Sequence, residues 1–304
     1  MKISRRTVLS GLAAVPFATQ DSKPQAALAT VTLRANGKQV PKLGIGCSPL
    51  ATLPDAEAAL AILGRAFDAG VRYVDTAPSY SNGASERRIG QALRGRKRAE
   101  FCLATKTLRR DADGARRELE ESLRRLGVER LDCLQVHEIH EDVADLDEKK
   151  GVLAALCKAR DEKLIESIGV TCHRDPRFAQ EALRRFPFVQ VLCPVNAIDP
   201  LHRSFVREFL PYARERQTDV IAMKVFAGGS LPQRRSISAA DCLRYALSRE
   251  GVTVVVPGWQ SVAQVDEALQ VARGFAALAT DRIAALEASV APHEKKRSEW
   301  YKNE

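Results

Sequence analysis

Phe101-Cys102-Leu103-Ala104-Thr105-Lys106 is a short apolar run that ends abruptly on a cation. Two other runs end in the same manner, Val71-Arg72-Tyr73-Val74-Asp75 on a carboxylate and Leu131-Asp132-Cys133-Leu134-Gln135-Val136-His137 on an imidazole. Their polar ends are evenly spaced, 106 − 75 = 31 and 137 − 106 = 31 residues, about the length of one strand-helix unit in a barrel of roughly 250 residues. Segments of helical spacing, such as 116–126, lie between them. Strand and helix therefore alternate, and the expected fold is an α/β, single-domain (β/α)8 TIM barrel. Parallel strands of such a barrel deliver their C-terminal ends to one rim, so Asp75, Lys106 and His137, with Tyr80 just past the first run, are expected to meet in one site.

Working outward, eight strand candidates follow one another: 43–46, 71–76, 102–106, 131–137, 165–170, 189–193, 220–224 and 252–256. Most lack strict apolar/polar alternation, as expected when both faces of a parallel sheet are covered. Ahead of them, Val31-Thr32-Leu33 and Gln39-Val40-Pro41 flank Asn36-Gly37, a hairpin signal that would plug the barrel floor. Asp55 and Ser238 read as helix N-caps, and Gly70 and Gly127 as helix stops. Residues 280–304 read as a final helix ending in a polar stretch. A chain of 304 residues that is 45% apolar can bury one full core.

The N-terminus reads as an address. Ser4-Arg5-Arg6-Thr7-Val8-Leu9 precedes the short apolar stretch 11–18 and the small-x-small sequence Ala27-Leu28-Ala29, a pattern resembling a twin-arginine export signal. Residues 1–29 are therefore expected to be a signal peptide and 30–304 the barrel domain. Transient contact with export machinery and a periplasmic location after cytoplasmic folding would follow. The apolar stretch is too short for a retained membrane span, which needs about 20 residues. The chain carries a formal charge of +9, of which Lys2, Arg5, Arg6, Lys23 and Asp21 contribute +3. The remainder suits an anionic cofactor or substrate, or simply a solvated arginine-rich surface. Arg94-Gly95-Arg96-Lys97-Arg98 has no interleaved aromatic residues and no accompanying motif, so nucleic acid is not an expected partner. The seven cysteines form no CxxC pair, and His137 and His140 at a strand-to-loop junction do not share a helical face. Buried thiols are expected, with no disulfide framework and no metal site.

The four polar residues have a chemistry in common. Reducing a carbonyl requires a hydride donor at carbon and a proton donor at oxygen. Tyr80 can be that acid, an ammonium from Lys106 would favour its phenolate and lower its pKa, and Asp75 would keep the buried ammonium charged. His137 can hydrogen-bond the carbonyl and orient it.

Val74-Asp75-Thr76-Ala77-Pro78-Ser79-Tyr80, Ala104-Thr105-Lys106, Leu134-Gln135-Val136-His137, Ile168-Gly169-Val170-Thr171 and Val189-Gln190 together resemble the aldo-keto reductase family over nearly all of the chain beyond the leader. The resemblance implies the same four catalytic roles and a small-molecule carbonyl substrate. It also implies a nicotinamide cofactor, NADPH by family habit with NADH left open. Thr171, Cys172 and Gln190 match positions that hold the nicotinamide, although Cys172 stands in place of the usual asparagine. Met223, or a close neighbour, takes the place of a stacking aromatic ring. Lys224 and Ala227-Gly228-Gly229 would suit a pyrophosphate, and Gly258 and Gln264 fall where the adenosine end is expected, without the cation usual in NADPH-preferring relatives. Gly46 and Cys47 belong to the first strand's glycine-bearing turn beside the nicotinamide. Two further readings are an NADPH-binding sensor or regulatory subunit with little turnover, and an isomerisation or elimination on the same rim.

Overall fold

The computed structural model describes residues 26–233, 237–293 and 299–302. The twin-arginine segment and apolar stretch assigned to the leader lie outside the described residues. Its last residues, 26–29, are described, and there Leu28 packs against the core while the Ala29 carbonyl accepts from the Lys42 amide at 2.8 Å.

Strands β1 (Thr30–Thr32) and β2 (Gln39–Pro41) form the hairpin around Asn36-Gly37, with Gly37 at φ 69° where an L side chain is disfavoured. Eight parallel strands follow: β3 (Ile45–Gly46), β4 (Tyr73–Asp75), β5 (Cys102–Thr107), β6 (Leu131–Val136), β7 (Ile165–Thr171), β8 (Gln190–Pro194), β9 (Asp219–Met223) and β10 (Val252–Val255). Each pairs with the next in chain order. Closure comes from Leu43, which bridges Val255, and from the Gly44 amide on the Val255 carbonyl at 2.8 Å. Gly46 is required by this seam, because a Cβ there would lie 2.8 Å from the Val256 carbonyl. All eight expected strands are present, with ends displaced by at most two residues.

Alternation along the strands then sorts the side chains. Tyr73, Cys102, Ala104, Cys133, Leu192, Ile221, Met223 and Val254 pack together inside the barrel, with Leu33 and Val40 of the hairpin joining them. The hairpin is pinned there by the Arg34 amide on Asp219 at 2.7 Å and by the Asn36 amide group on Glu166 at 2.9 Å. The other faces of the strands pack against the helices in the large outer core. Continuing the inward set by two residues per strand leads from Tyr73 to Asp75, from Ala104 to Lys106, and from Cys133 through Gln135 to His137. The pleat itself therefore aims these polar side chains at one mouth.

Asp55 and Ser238 cap their helices as expected, accepting from the amides of Ala58 and Asp241, and Gly127 ends its helix at φ 66°. The C-terminal expectation needs correction. The last long helix covers only Thr280–Val290, and the chain returns to bury Glu299, Tyr301 and Lys302. Lys302 Nζ meets Asp199 Oδ1 and Glu299 Oε2 at 2.7 Å each and the His202 carbonyl at 2.7 Å. A polar tail can be buried here because its charges arrive with their partners.

Candidate active site

Tyr80 follows β4 on a turn whose next three residues, Ser81, Asn82 and Gly83, all have positive φ. The Gly83 amide closes the turn on the Pro78 carbonyl at 2.7 Å, and a Cβ on Gly83 would sit 2.6 Å from Arg125 Cδ. Arg125 pairs with the buried Glu86 at 2.8 Å, and Glu86 accepts from Thr105 on β5 at 2.7 Å. The tyrosine loop is thus held against the strand that carries Lys106.

Lys106 Nζ donates to Asp75 Oδ2 at 2.6 Å, to the Thr76 carbonyl at 2.7 Å and to Tyr80 Oη at 3.1 Å. Three acceptors saturate the ammonium, whose side chain is 0% exposed. Burial pulls its pKa down, but the Asp75 carboxylate and Tyr80 outweigh burial and hold it above the ordinary lysine value. For Tyr80 the balance falls the other way. Burial raises the phenol's pKa by more than Lys106 lowers it, so the net shift is upward, opposite to the lowering expected from the sequence. The site therefore keeps a protonated phenol across the neutral range.

His137 lies one residue past β6, its amide on the Thr107 carbonyl at 2.9 Å and its ring 6.2 Å from that of Tyr80. Burial first, then Lys106, His173 and nearby cations, push its pKa well below the usual imidazole value. The ring is neutral at physiological pH, and its buried Nδ1 has no partner among the described residues.

These groups open onto a cavity of about 760 Å³, within the range of small-molecule sites. Of the residues expected from sequence, Gly46, Cys47, Asp75, Tyr80, His137, Met223, Lys224, Gly228, Gly258 and Gln264 line it. Lys106 stands behind Asp75 and Tyr80. Thr171, Cys172 and Gln190 do not line the cavity. Gln190 begins β8, two inward positions below the rim, and its amide exchanges hydrogen bonds with Tyr73 Oη at 3.0 and 3.2 Å. Thr171 accepts from the Glu138 amide at 2.7 Å, and Cys172 Sγ donates to the Asp175 carbonyl at 3.2 Å. Burial pushes the Cys172 thiol up to about 12 and raises that of Cys47 further, so neither is a thiolate. All seven cysteines are free thiols and six are buried.

Glu138, His173, Glu267 and Trp300 also line the cavity, though none was singled out from sequence as a site residue. His173 could have been found from its place directly after Thr171-Cys172, at the end of an expected strand. Lys224 Nζ lies 5.1 Å and 5.2 Å from the ring centres of Trp300 and Tyr301, which brings the C-terminal segment to the mouth.

Residues 42–241 match a family model described as Aldo/keto reductase family. The chain is 31% identical over 235 residues to a D-threo-aldose 1-dehydrogenase of a Pseudomonas species, covering 66% of this chain and 70% of that protein. It is 28% identical to an L-galactose dehydrogenase of Arabidopsis thaliana, covering 78% of this chain and 86% of the other. Among solved structures, an aldo-keto reductase from Bacillus halodurans in holo form superimposes with a TM-score of 0.75 at 22% identity, over 90% of this chain and 99% of that one. A glycerol dehydrogenase from Gluconobacter oxydans gives 0.71 at 20% identity, over 87% and 95%.

Proposed function

Because this chain belongs to the aldo/keto reductase family, we propose that it reduces an aldehyde or ketone to the alcohol with Tyr80 as general acid, using NADPH. Membership makes it a nicotinamide-dependent oxidoreductase; the proton donor, the phosphorylated form of the cofactor and the preferred direction are our reading. The observation that carries it is the contact of Lys106 Nζ with both Tyr80 Oη at 3.1 Å and Asp75 Oδ2 at 2.6 Å.

The cavity fits such a cofactor. The buried Trp259 Nε1 has no partner among the described residues, and a Cβ on Gly258 would lie 2.6 Å from Pro49 Cγ, where backbone and ring already meet closely. Gly228 and Gly229, both at positive φ, line the cavity beside Lys224, with the Gly229 amide already bonded to the Phe226 carbonyl at 2.9 Å. When bound, the nicotinamide supplies hydride to the carbonyl carbon. His137, neutral, donates to the carbonyl oxygen and holds it toward Tyr80. Tyr80 then passes its phenolic proton to that oxygen, which quenches the developing alkoxide. Lys106 stabilises the resulting phenolate until solvent returns the proton, and Asp75 keeps Lys106 charged through the cycle. Sugar dehydrogenases among the relatives support polyhydroxylated substrates, for which Glu138 and His137 offer polar partners.

Tyr80→Phe removes the proton and leaves the ring. Aldehyde-dependent consumption of NADPH should fall about 10²–10⁴-fold while cofactor binding, read by fluorescence quenching, persists. Activity retained in this variant refutes the role of Tyr80. We further propose that residues 1–29 direct export to the periplasm, to be tested by fusing them to a reporter that is active only after export of a folded protein. Loss of export in Arg5→Lys/Arg6→Lys is the expected result.

A further inference from the structure

We propose that His137, Glu138 and His173 form a binding site for one divalent transition ion of the zinc class, and that filling it blocks carbonyl reduction. One donor atom from each residue lies within 4.8 Å of the other two. Glu138 Oε1 is 3.8 Å from His137 Nε2 and 3.9 Å from His173 Nδ1. Donors in a tetrahedral zinc site, at about 2.0–2.2 Å from the metal, stand about 3.4 Å apart. The set is therefore about half an ångström too open along these two edges, which the Glu138 side chain, 44% exposed, is free to shorten, while closing the His137–His173 edge, at most 4.8 Å, requires the two rings to turn toward each other.

Chain geometry brings the three together in a way the linear sequence conceals. Successive strand residues face opposite sides, so His137 and Glu138 would normally diverge. Glu138 instead has φ 54°, and both side chains line the same cavity. A left-handed backbone at a glutamate persists only where its surroundings hold it. Here the Glu138 amide donates to Thr171 Oγ1 at 2.7 Å and the Ile139 amide to the Thr171 carbonyl at 3.0 Å. Arg110 Nη2 donates to the carbonyls of His137 and Glu138 at 2.8 and 3.2 Å. Thr171 ends β7, the strand paired with β6, and His173 follows two residues later. Three protein ligands with cavity space at the remaining position make an open site. His140, whose pairing with His137 the sequence spacing argues against, is not among the three.

The inhibitory half of the proposal rests on the role given above to His137, whose Nδ1 is buried and whose Nε2 must therefore serve carbonyl and metal alike. Zinc chloride titrated into the metal-free full chain, followed by calorimetry, should show one ion per chain. His173→Phe and Glu138→Gln should each weaken binding about tenfold or more, and cobalt bound at the same place should lose its visible absorption in both. Tyr80→Phe should bind zinc as the parent does, so failure of the carbonyl reading would leave this result standing. Zinc should compete with the aldehyde in steady-state kinetics. No saturable binding, or binding undiminished in both ligand variants, overturns the site; binding through these ligands without competition overturns the inhibition.

Discussion

Replacing Asp75 by asparagine isolates the value of one buried charge. Asp75 Oδ1 accepts from Gln135 Nε2 at 2.9 Å, and Gln135 Oε1 is buried without a partner among the described residues. A flipped Gln135 can accept from the new amide nitrogen, leaving the asparagine oxygen on Lys106, so the contacts survive and only the negative charge is lost. Lys106 then becomes a fully buried ammonium with neutral acceptors. Stranding one partner of a buried pair costs about 3–5 kcal/mol, but the lysine can escape by giving up its proton. That escape costs about 1.4 kcal/mol for each unit between ambient pH and an unfolded pKa of about 10.4. The loss is thus capped at about 4 kcal/mol at pH 7.5 and at about 2 kcal/mol at pH 9. The sign is definite: in the variant the unfolded state binds more protons, so its stability rises with pH. Against a typical total of about 5–15 kcal/mol this is large. Urea unfolding of parent and variant at the two pH values measures it, and Asp75→Asn/Lys106→Met should be less destabilised than Asp75→Asn alone. A loss under about 1 kcal/mol that does not change with pH would refute the premise that the carboxylate holds the ammonium charged.

Burial and neighbouring cations hold His137 and His173 neutral, with pKa values well below the usual range. These depressed values stabilise the fold above the unfolded pKa of about 6.5, and that contribution is lost as pH falls below it, about 1.4 kcal/mol per histidine at one unit lower. The urea midpoint should drop accordingly between pH 7.5 and 5.5, and by less in His173→Phe. Gly258→Ala forces a methyl against the Pro49 ring at 2.6 Å, so we expect about 1–3 kcal/mol of destabilisation and a raised dissociation constant for the cofactor by fluorescence titration. Six of the seven thiols are buried; a native-state thiol assay should label Cys157 alone within the time that urea exposes all seven.

The sequence alone determined the barrel, because strand periodicity and the 31-residue spacing are local properties repeated along the chain. It also determined Asp75, Lys106 and His137 as rim residues, since pleat parity carries a side chain's direction from one strand position to the next. Tyr80 was legible only through the motif around it, its placement depending on three consecutive left-handed residues and on the buried Glu86–Arg125 pair. What only tertiary structure decided were quantities set by depth and by neighbours from distant strands. Gln190 sits two positions too deep to reach the cavity and pairs with Tyr73. The phenol of Tyr80 is raised rather than lowered, because burial outweighs an ammonium 3.1 Å away. His173 joins His137 through the pairing of β6 with β7, and the charged tail is buried because Asp199 waits for Lys302. Desolvation and cross-strand proximity depend on where the whole chain goes, and no window of sequence contains them.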